Sequence, residues 1–275
     1  MSEVFGIDVS HYQRTIEWKK VVESGKKFAI LKCMYEAQSH RIDEYFEENY
    51  RQCGIYGIAR GVYIYIARAS IADPDGDAKA LLKHLANRPL EYGIWLDFED
   101  ESLRRQGKAK IRDLAYLYAG KFRSAGYHVG IYCNKDWYDN VIHQDLKSDF
   151  DFWIARYPKK DVGAYYHSSK LKPNYQQAVA WQYSSKGTVP GINGDVDLDV
   201  DFDGVVSMIA QTPYKKTDEE IAMEVLEDKW GTAKTNPTRT KLLTMAGYDA
   251  KAIQNIVNRL VRNNINVQDL RKICV

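Results

Sequence analysis

The chain has 275 residues and a mass of 31.7 kDa, which excludes a miniature scaffold and leaves room for one large core and a smaller unit. Its 45% hydrophobic and 28% charged residues exclude a disordered chain. Lys plus Arg number 39 against 37 Asp plus Glu, so a nucleic-acid binder that works through a basic stripe is excluded as well.

In chain order, the first residues, MSEVFGIDVS, hold neither a basic stretch nor an apolar run, and the expectation is a protein without a signal peptide. No run of about eighteen apolar residues follows, so no bilayer span or membrane insertion is expected. From residue 4 to about 206, short β-branched or aromatic runs alternate with helical patterns. The predicted strands are Val4–Val9, Phe28–Cys33, Arg60–Tyr65, Ile94–Phe98, Val129–Cys133, Phe152–Ala155, Ala178–Gln182 and Asp195–Val200. Ile42, Tyr45, Phe46, Asn49, Tyr50 and Cys53 follow helical spacing and stop at Gly54. Ile111, Leu114, Tyr118, Phe122 and Ala125 do the same before Gly126, and residues 71–86 form a weaker helix. Eight strands interleaved with helices predict a TIM-like β/α barrel rather than an open sheet, and the stretch from Pro158 to Pro173 predicts that the later helices are missing. Cys33, Cys53, Cys133 and Cys274 are too far apart for C-x-x-C motifs and are expected to be small buried hydrophobes.

The periodicity changes around QTPYKKT at residues 211–217. This divides the chain into a barrel domain over 1–210, a linker over 211–217 and a helical domain over 218–275. Ile221, Val225 and Leu226 mark a first short helix, and Leu242, Leu243 and Ala246 a second. Ile253, Ile256, Val257 and Leu260 mark a third, capped by Asp249 after a turn at Gly247. Trp230 is expected to fill the core of this small unit.

Residues at the C-terminal ends of barrel strands surround a pocket, and here those ends are acidic. Asp8 lies in GIDVS, Asp97 and Glu99 in WLDFED, and Asp195 and Asp197 in the last strand. Asp97 and Glu99 are two apart on an extended chain, which puts their Cα atoms about 6.6 Å apart on one side. Carboxylates that close oppose each other's ionisation, so one can keep a proton while the other is charged. Glycosidic cleavage needs that pair of states. Asp199-x-Asp201-x-Asp203-Gly204 begins like a calcium loop, but Ala210 stands where the bidentate Glu belongs, and no metal or other cofactor is expected. Tyr12, Tyr63, Tyr65, Tyr132, Trp153, Tyr157, Trp181 and Tyr183 fall at or near strand ends, where rings can cover the flat faces of sugars. Arg156 and Gln182 offer hydrogen bonds to amide or carboxylate substituents, and His11 either orients an acid or caps the first loop. Serine-hydrolase, cysteine-protease and nucleotide-binding motifs are absent from the sequence.

Taken with their order and spacing, these pieces resemble the Chalaropsis-type lysozymes, glycoside hydrolase family 25. The resemblance is carried by GIDVSHYQRTIEWKKV at 6–21, FAILKC at 28–33 and FEENYRQCGIYGIARGVYIY at 46–65. WLDFED at 95–100, YHVGIYCN at 127–134, FWIARY at 152–157 and AWQYSSKGTVPGINGDVDLDV at 180–200 continue it. It implies an irregular barrel of eight strands and about five helices. It also implies cleavage of the β-1,4 bond between N-acetylmuramic acid and N-acetylglucosamine, with bacterial peptidoglycan as partner and substrate. Under it Glu99 is the general acid, Asp97 its carboxylate neighbour, and Asp8 and Asp197 the two further acids of the pocket. Asp195 stands where members often have Asn, and Tyr63, Tyr65, Tyr132, Trp153 and Trp181 match groove aromatics. Retention assisted by the substrate's acetamido group, a protein nucleophile, and inversion through a water at a separation of ~6.5–9.5 Å all stay open.

Residues 224–261, EVLEDKWGTAKTNPTRTKLLTMAGYDAKAIQNIVNRLV, resemble the Cpl-7-type cell-wall-binding module. A single copy implies weak wall binding or avidity through homodimerisation. The layout resembles that of a phage endolysin, made in the host cytoplasm and acting on the wall after the membrane is breached.

Overall fold

A computed structural model of the protein describes residues 3–86, 88–167, 169–202, 218–227, 230–232, 234, 238–245 and 248–262. The expected linker 211–217, together with Asp203, Gly204, Ala210, Ala246, Gly247 and Cys274, lies outside them. The chain forms two compact units, a large N-terminal one and a small C-terminal one.

The large unit is a closed barrel of eight strands in sequential order. They are β1 (Val4–Val9), β2 (Phe28–Met34), β3 (Ala59–Tyr65), β4 (Ile94–Asp97), β5 (Val129–Asn134), β6 (Phe152–Ala155), β7 (Ala178–Gly187) and β8 (Val196–Asp201). Between them run α1 (Trp18–Glu23), α2 (Phe46–Tyr56), α3 (Pro74–Leu85), α4 (Glu101–Arg104), α5 (Lys108–Ser124), α6 (Lys135–Asn140) and α7 (Gln144–Asp149). Among the described residues no helix joins β6 to β7 or β7 to β8, in line with the expected loss of the later helices.

The TIM-like expectation needs correcting in one respect. β1 through β7 pair in parallel, but β8 runs antiparallel to both β7 and β1, which closes the barrel with Asp8 and Asp197 as directly opposed partners. The short β7–β8 connection forces this, because a parallel return requires a long crossover. β7 is also longer than the sequence pattern indicated, at 10 residues.

Two helix expectations shift as well. Ile42 lies outside α2 and forms an isolated bridge to Met34. α2 runs through Gly54 and stops before Gly57, whose φ of 68° is the left-handed conformation that ends a helix. Strand alternation sends Ala29, Leu31 and Cys33, and likewise Ile94 and Leu96, to the outer, helix-covered face, where all are buried. Inside, Phe28 stacks on Tyr92 at 4.3 Å and Trp95 meets Trp153 edge-on at 6.0 Å. Gly130 makes room for that layer, since a Cβ there would lie 2.4 Å from the Trp95 ring. Cys33, Cys53 and Cys133 are buried thiols, and burial raises each well above its ordinary pKa, which leaves them unreactive.

In the small unit, α8 (Asp218–Leu226), α9 (Arg239–Met245) and α10 (Ala250–Arg262) surround a core of Ile221, Val225, Trp230, Leu242, Leu243, Ile253, Val257 and Leu260. Asp249 caps α10 by accepting from the backbone N–H groups of Lys251 and Ala252. Trp230 is in the core, with its indole N–H donating to Glu224 at 3.0 Å.

Candidate active site

Alternation decides which strand-end residues look inward. On β4 it turns Trp95 and Asp97 into the barrel, while Phe98 is packed away and fully buried. Asp100 then caps α4, accepting from Leu103 N–H at 2.7 Å and from the Tyr65 hydroxyl at 3.3 Å. That anchor leaves Glu99 at the mouth. The result is a pocket of about 260 Å³ lined by Asp8, Val9, Ser10, Tyr12, Gln13, Lys32, Tyr63, Tyr65, Asp97, Glu99 and Asp197. All four acids expected at the site are brought together in it.

The acids differ in surroundings. Asp97 is buried, and its Oδ1 has no hydrogen-bond partner. Burial raises its pKa well above the usual carboxylate range and the Glu99 charge raises it further, against a smaller opposite pull from Lys32. Glu99 is exposed at the mouth, yet the surrounding protein strips enough hydration to raise its pKa too, again opposed by Lys32. Both groups are therefore biased toward the protonated form relative to an isolated carboxylic acid.

Asp197 is pushed up to about 6, by burial first and then by Glu99. Asp8 is raised by burial and then by Asp197 and Asp199. Gln182 partly offsets this, its Nε2 donating to Asp8 Oδ2 at 2.6 Å. The Gln182 carbonyl is itself held by the hydroxyls of Tyr132, at 2.8 Å, and Tyr157.

Beneath Asp8 sits Asp199, fully buried, its Oδ1 accepting from the Trp153 indole at 2.9 Å and its Oδ2 without a hydrogen-bond partner among the described residues. Burial, then Asp197, raise it to about 8. A carboxyl raised that far keeps its proton where an isolated carboxyl has lost it, a shift that the sequence pattern did not reveal. Asp199 and Asp201 are both fully buried.

Other expected residues lie elsewhere. Tyr132 and Trp153 belong to the barrel interior below the pocket. Trp181 is buried against Tyr165 and Tyr183, with its indole N–H on the Arg156 carbonyl. Arg156 donates to the Lys170 and Leu171 carbonyls and so braces the β6–β7 loop. Asp195 is exposed and paired with Lys186 at 2.7 Å. His11 is bound by Asp43, through its Nδ1 at 2.8 Å and its backbone N–H at 2.9 Å.

Three polar residues of the pocket carry no mark in the sequence analysis. Ser10 and Gln13 form a capping box around the turn after β1. Lys32 projects from β2 as the only cation among the described residues that line the pocket. Its signal was a Lys inside the apolar run FAILKC, the same kind of anomaly that marked Asp8 and Asp97.

Residues 7–192 match the model of glycosyl hydrolases family 25, and residues 219–261 match that of the CW_7 repeat. Lysozyme M1 of Streptomyces globisporus is 26% identical over 206 residues, covering 71% of this chain and 67% of that protein. The bacterial lysozyme of Streptomyces coelicolor superposes with a TM-score of 0.62 at 23% identity, covering 77% of this chain and 99% of that one. The modular autolysin LytC of Streptococcus pneumoniae, solved in complex with a synthetic peptidoglycan ligand, gives a TM-score of 0.60 at 24% identity. That match covers 73% of this chain and spans 47% of the autolysin.

Proposed function

The chain belongs to glycosyl hydrolases family 25, and from that premise we propose that it is a peptidoglycan muramidase, cleaving the β-1,4 bond between N-acetylmuramic acid and N-acetylglucosamine. The observation that carries this reading is the Asp97–Glu99 pair: one carboxyl at the pocket mouth, one buried with an unpartnered oxygen, and both pushed toward the protonated form. An unpartnered buried acceptor is costly until a donor fills it. The N–H of a substrate acetamido group is such a donor, and it would favour the Asp97 anion and leave the proton on Glu99. Glu99 then protonates the leaving glycosidic oxygen while the anionic Asp97 holds the acetamido group and offsets positive charge on the sugar.

Asp8 and Asp197 add negative potential across the pocket, and Lys32 keeps that potential from forcing full protonation. Tyr12, Tyr63 and Tyr65 offer ring faces and hydroxyls to the sugars. The CW_7 repeat would hold the enzyme on its insoluble polymer, raising the local concentration of glycan at the barrel.

The test is purified protein on bacterial walls, with reducing ends counted and products identified by mass spectrometry. The expected products end in reducing N-acetylmuramic acid. Glu99→Gln should abolish their release while leaving wall pelleting intact, and full activity in that variant would overturn the proposal.

A further inference from the structure

The catalytic pocket has a neighbour. A second cleft, of about 490 Å³, is lined by Tyr12, Gln13, Arg14, Thr15, Tyr45 and Asn193. Tyr12 and Gln13 line both, so a polymer seated in one can extend into the other. The volume suits a sugar substituent or a short peptide branch.

Among the described residues that line the cleft, Arg14 is the only charged one. Among the described residues its guanidinium has no hydrogen-bond or ion-pair partner, and acids of the adjoining segments are already engaged. Glu17 pairs with Lys20, Asp43 with His11 and Asp195 with Lys186. The Arg14 backbone is also unusual. The capping box of Ser10 and Gln13 ends in a turn that puts Arg14 at φ 54°, ψ −136°. That region suits glycine and strains any residue with a Cβ. Glycine would relieve the strain, yet the position carries a long cation pointing at no internal partner.

The pocket next door supplies a reason. It holds four carboxyl groups and one lysine, so its field opposes any negatively charged substituent on an incoming glycan. We propose that Arg14 forms a carboxylate-binding subsite that receives an acidic substituent of the substrate beside the cleavage site. The planar guanidinium fork matches a carboxylate in two-point geometry. In peptidoglycan that group is either the lactyl carboxylate of an unsubstituted muramic acid or a free carboxylate of its attached peptide. The inference rests on the muramidase reading for the identity of the polymer.

Binding to the full-length Glu99→Gln protein tests it without turnover, by calorimetry with three soluble disaccharide fragments. One carries a peptide with free carboxylates, one the same peptide fully amidated, and one a free lactyl group with no peptide. Adding Arg14→Gln is expected to weaken at least one acidic fragment about tenfold, to flatten its salt dependence, and to leave the amidated fragment unchanged. The acidic fragment that loses affinity identifies the carboxylate. Arg14→Lys should restore part of the loss, and Arg14→Gly should show the full loss together with a higher unfolding midpoint, separating lost contact from lost fold. Equal binding of all fragments with and without Arg14, or an equal loss on the amidated one, would overturn the proposal. If the unsubstituted enzyme released no reducing ends from walls, the muramidase reading would fall while these affinities still decided the subsite.

Discussion

The barrel and the three-helix unit solve the problem of buried polarity in opposite ways. Among the described residues the small unit buries only apolar side chains and Trp230, whose one polar atom is hydrogen-bonded. The barrel buries Asp8, Asp97, Asp199 and Asp201 inside its sheet and leaves oxygens of Asp97 and Asp199 without a partner. A fold that only had to be stable would not accept those costs. The small unit is therefore built as a packed apolar module. The barrel gives up stability to hold protons where chemistry needs them.

Substitutions can break that contrast. The largest effect is expected from Asp97→Asn, which keeps the shape but removes the charge. Hydrolysis of soluble fragments should fall roughly 10²- to 10⁴-fold, while thermal stability at neutral pH rises because a buried group with a raised pKa no longer has to ionise. A variant that lost both activity and stability would show that Asp97 is a structural acid.

Next in size is Trp230→Ala. Removing a buried Trp costs about 3–5 kcal/mol, of the same order as the whole stability of so small a unit. The expected outcome is loss of the helical signal of α8–α10 by circular dichroism and slower clearing of insoluble walls, with soluble-fragment turnover unchanged. Equal losses on both substrates would mean that the barrel depends on this module for more than wall binding.

The smallest expected effect is on pH dependence. Asp199 has a folded pKa of about 8, above the ~3.9 of a free carboxyl. A group raised on folding favours the native state when protonated and loses that contribution as pH rises from the unfolded to the folded value. Stability should therefore decline between about pH 4 and 8 through this residue. Asp199→Asn, which keeps the size of the side chain and cannot ionise, should flatten that decline in denaturation midpoints measured across the range. An unchanged slope would place the proton elsewhere among Asp8, Asp197 and Lys26, the charged groups that act on it.

Much of this was legible in the chain. β1 and β6 match their predicted bounds residue for residue, and the other strands start within one residue of expectation, because apolar alternation between turn residues is a local property. Asp8 and Asp97 stood out as acids inside apolar runs. Lys32 carried the same signal and was read as part of a strand. Trp181 and Gln182 were both expected at the groove, yet neighbours on a strand point to opposite faces. The structure turns Gln182 inward to Asp8 and packs Trp181 against Tyr165 and Tyr183.

By itself the sequence determined the eight strands, the acidic D-x-E pair on the fourth and the change to a helical module, since each depends on residues close together in the chain. Only the tertiary structure decided that β8 runs antiparallel, so that Asp197 faces Asp8 across about 190 residues of intervening chain, and that Asp199 is buried beneath them with its pKa raised. Side-chain alternation has a period of two in either strand direction, so direction leaves no mark on it. The pKa of a carboxyl depends on how much water and charge surround it, and those neighbours come from β1, β6, β7 and β8 only once the barrel has closed.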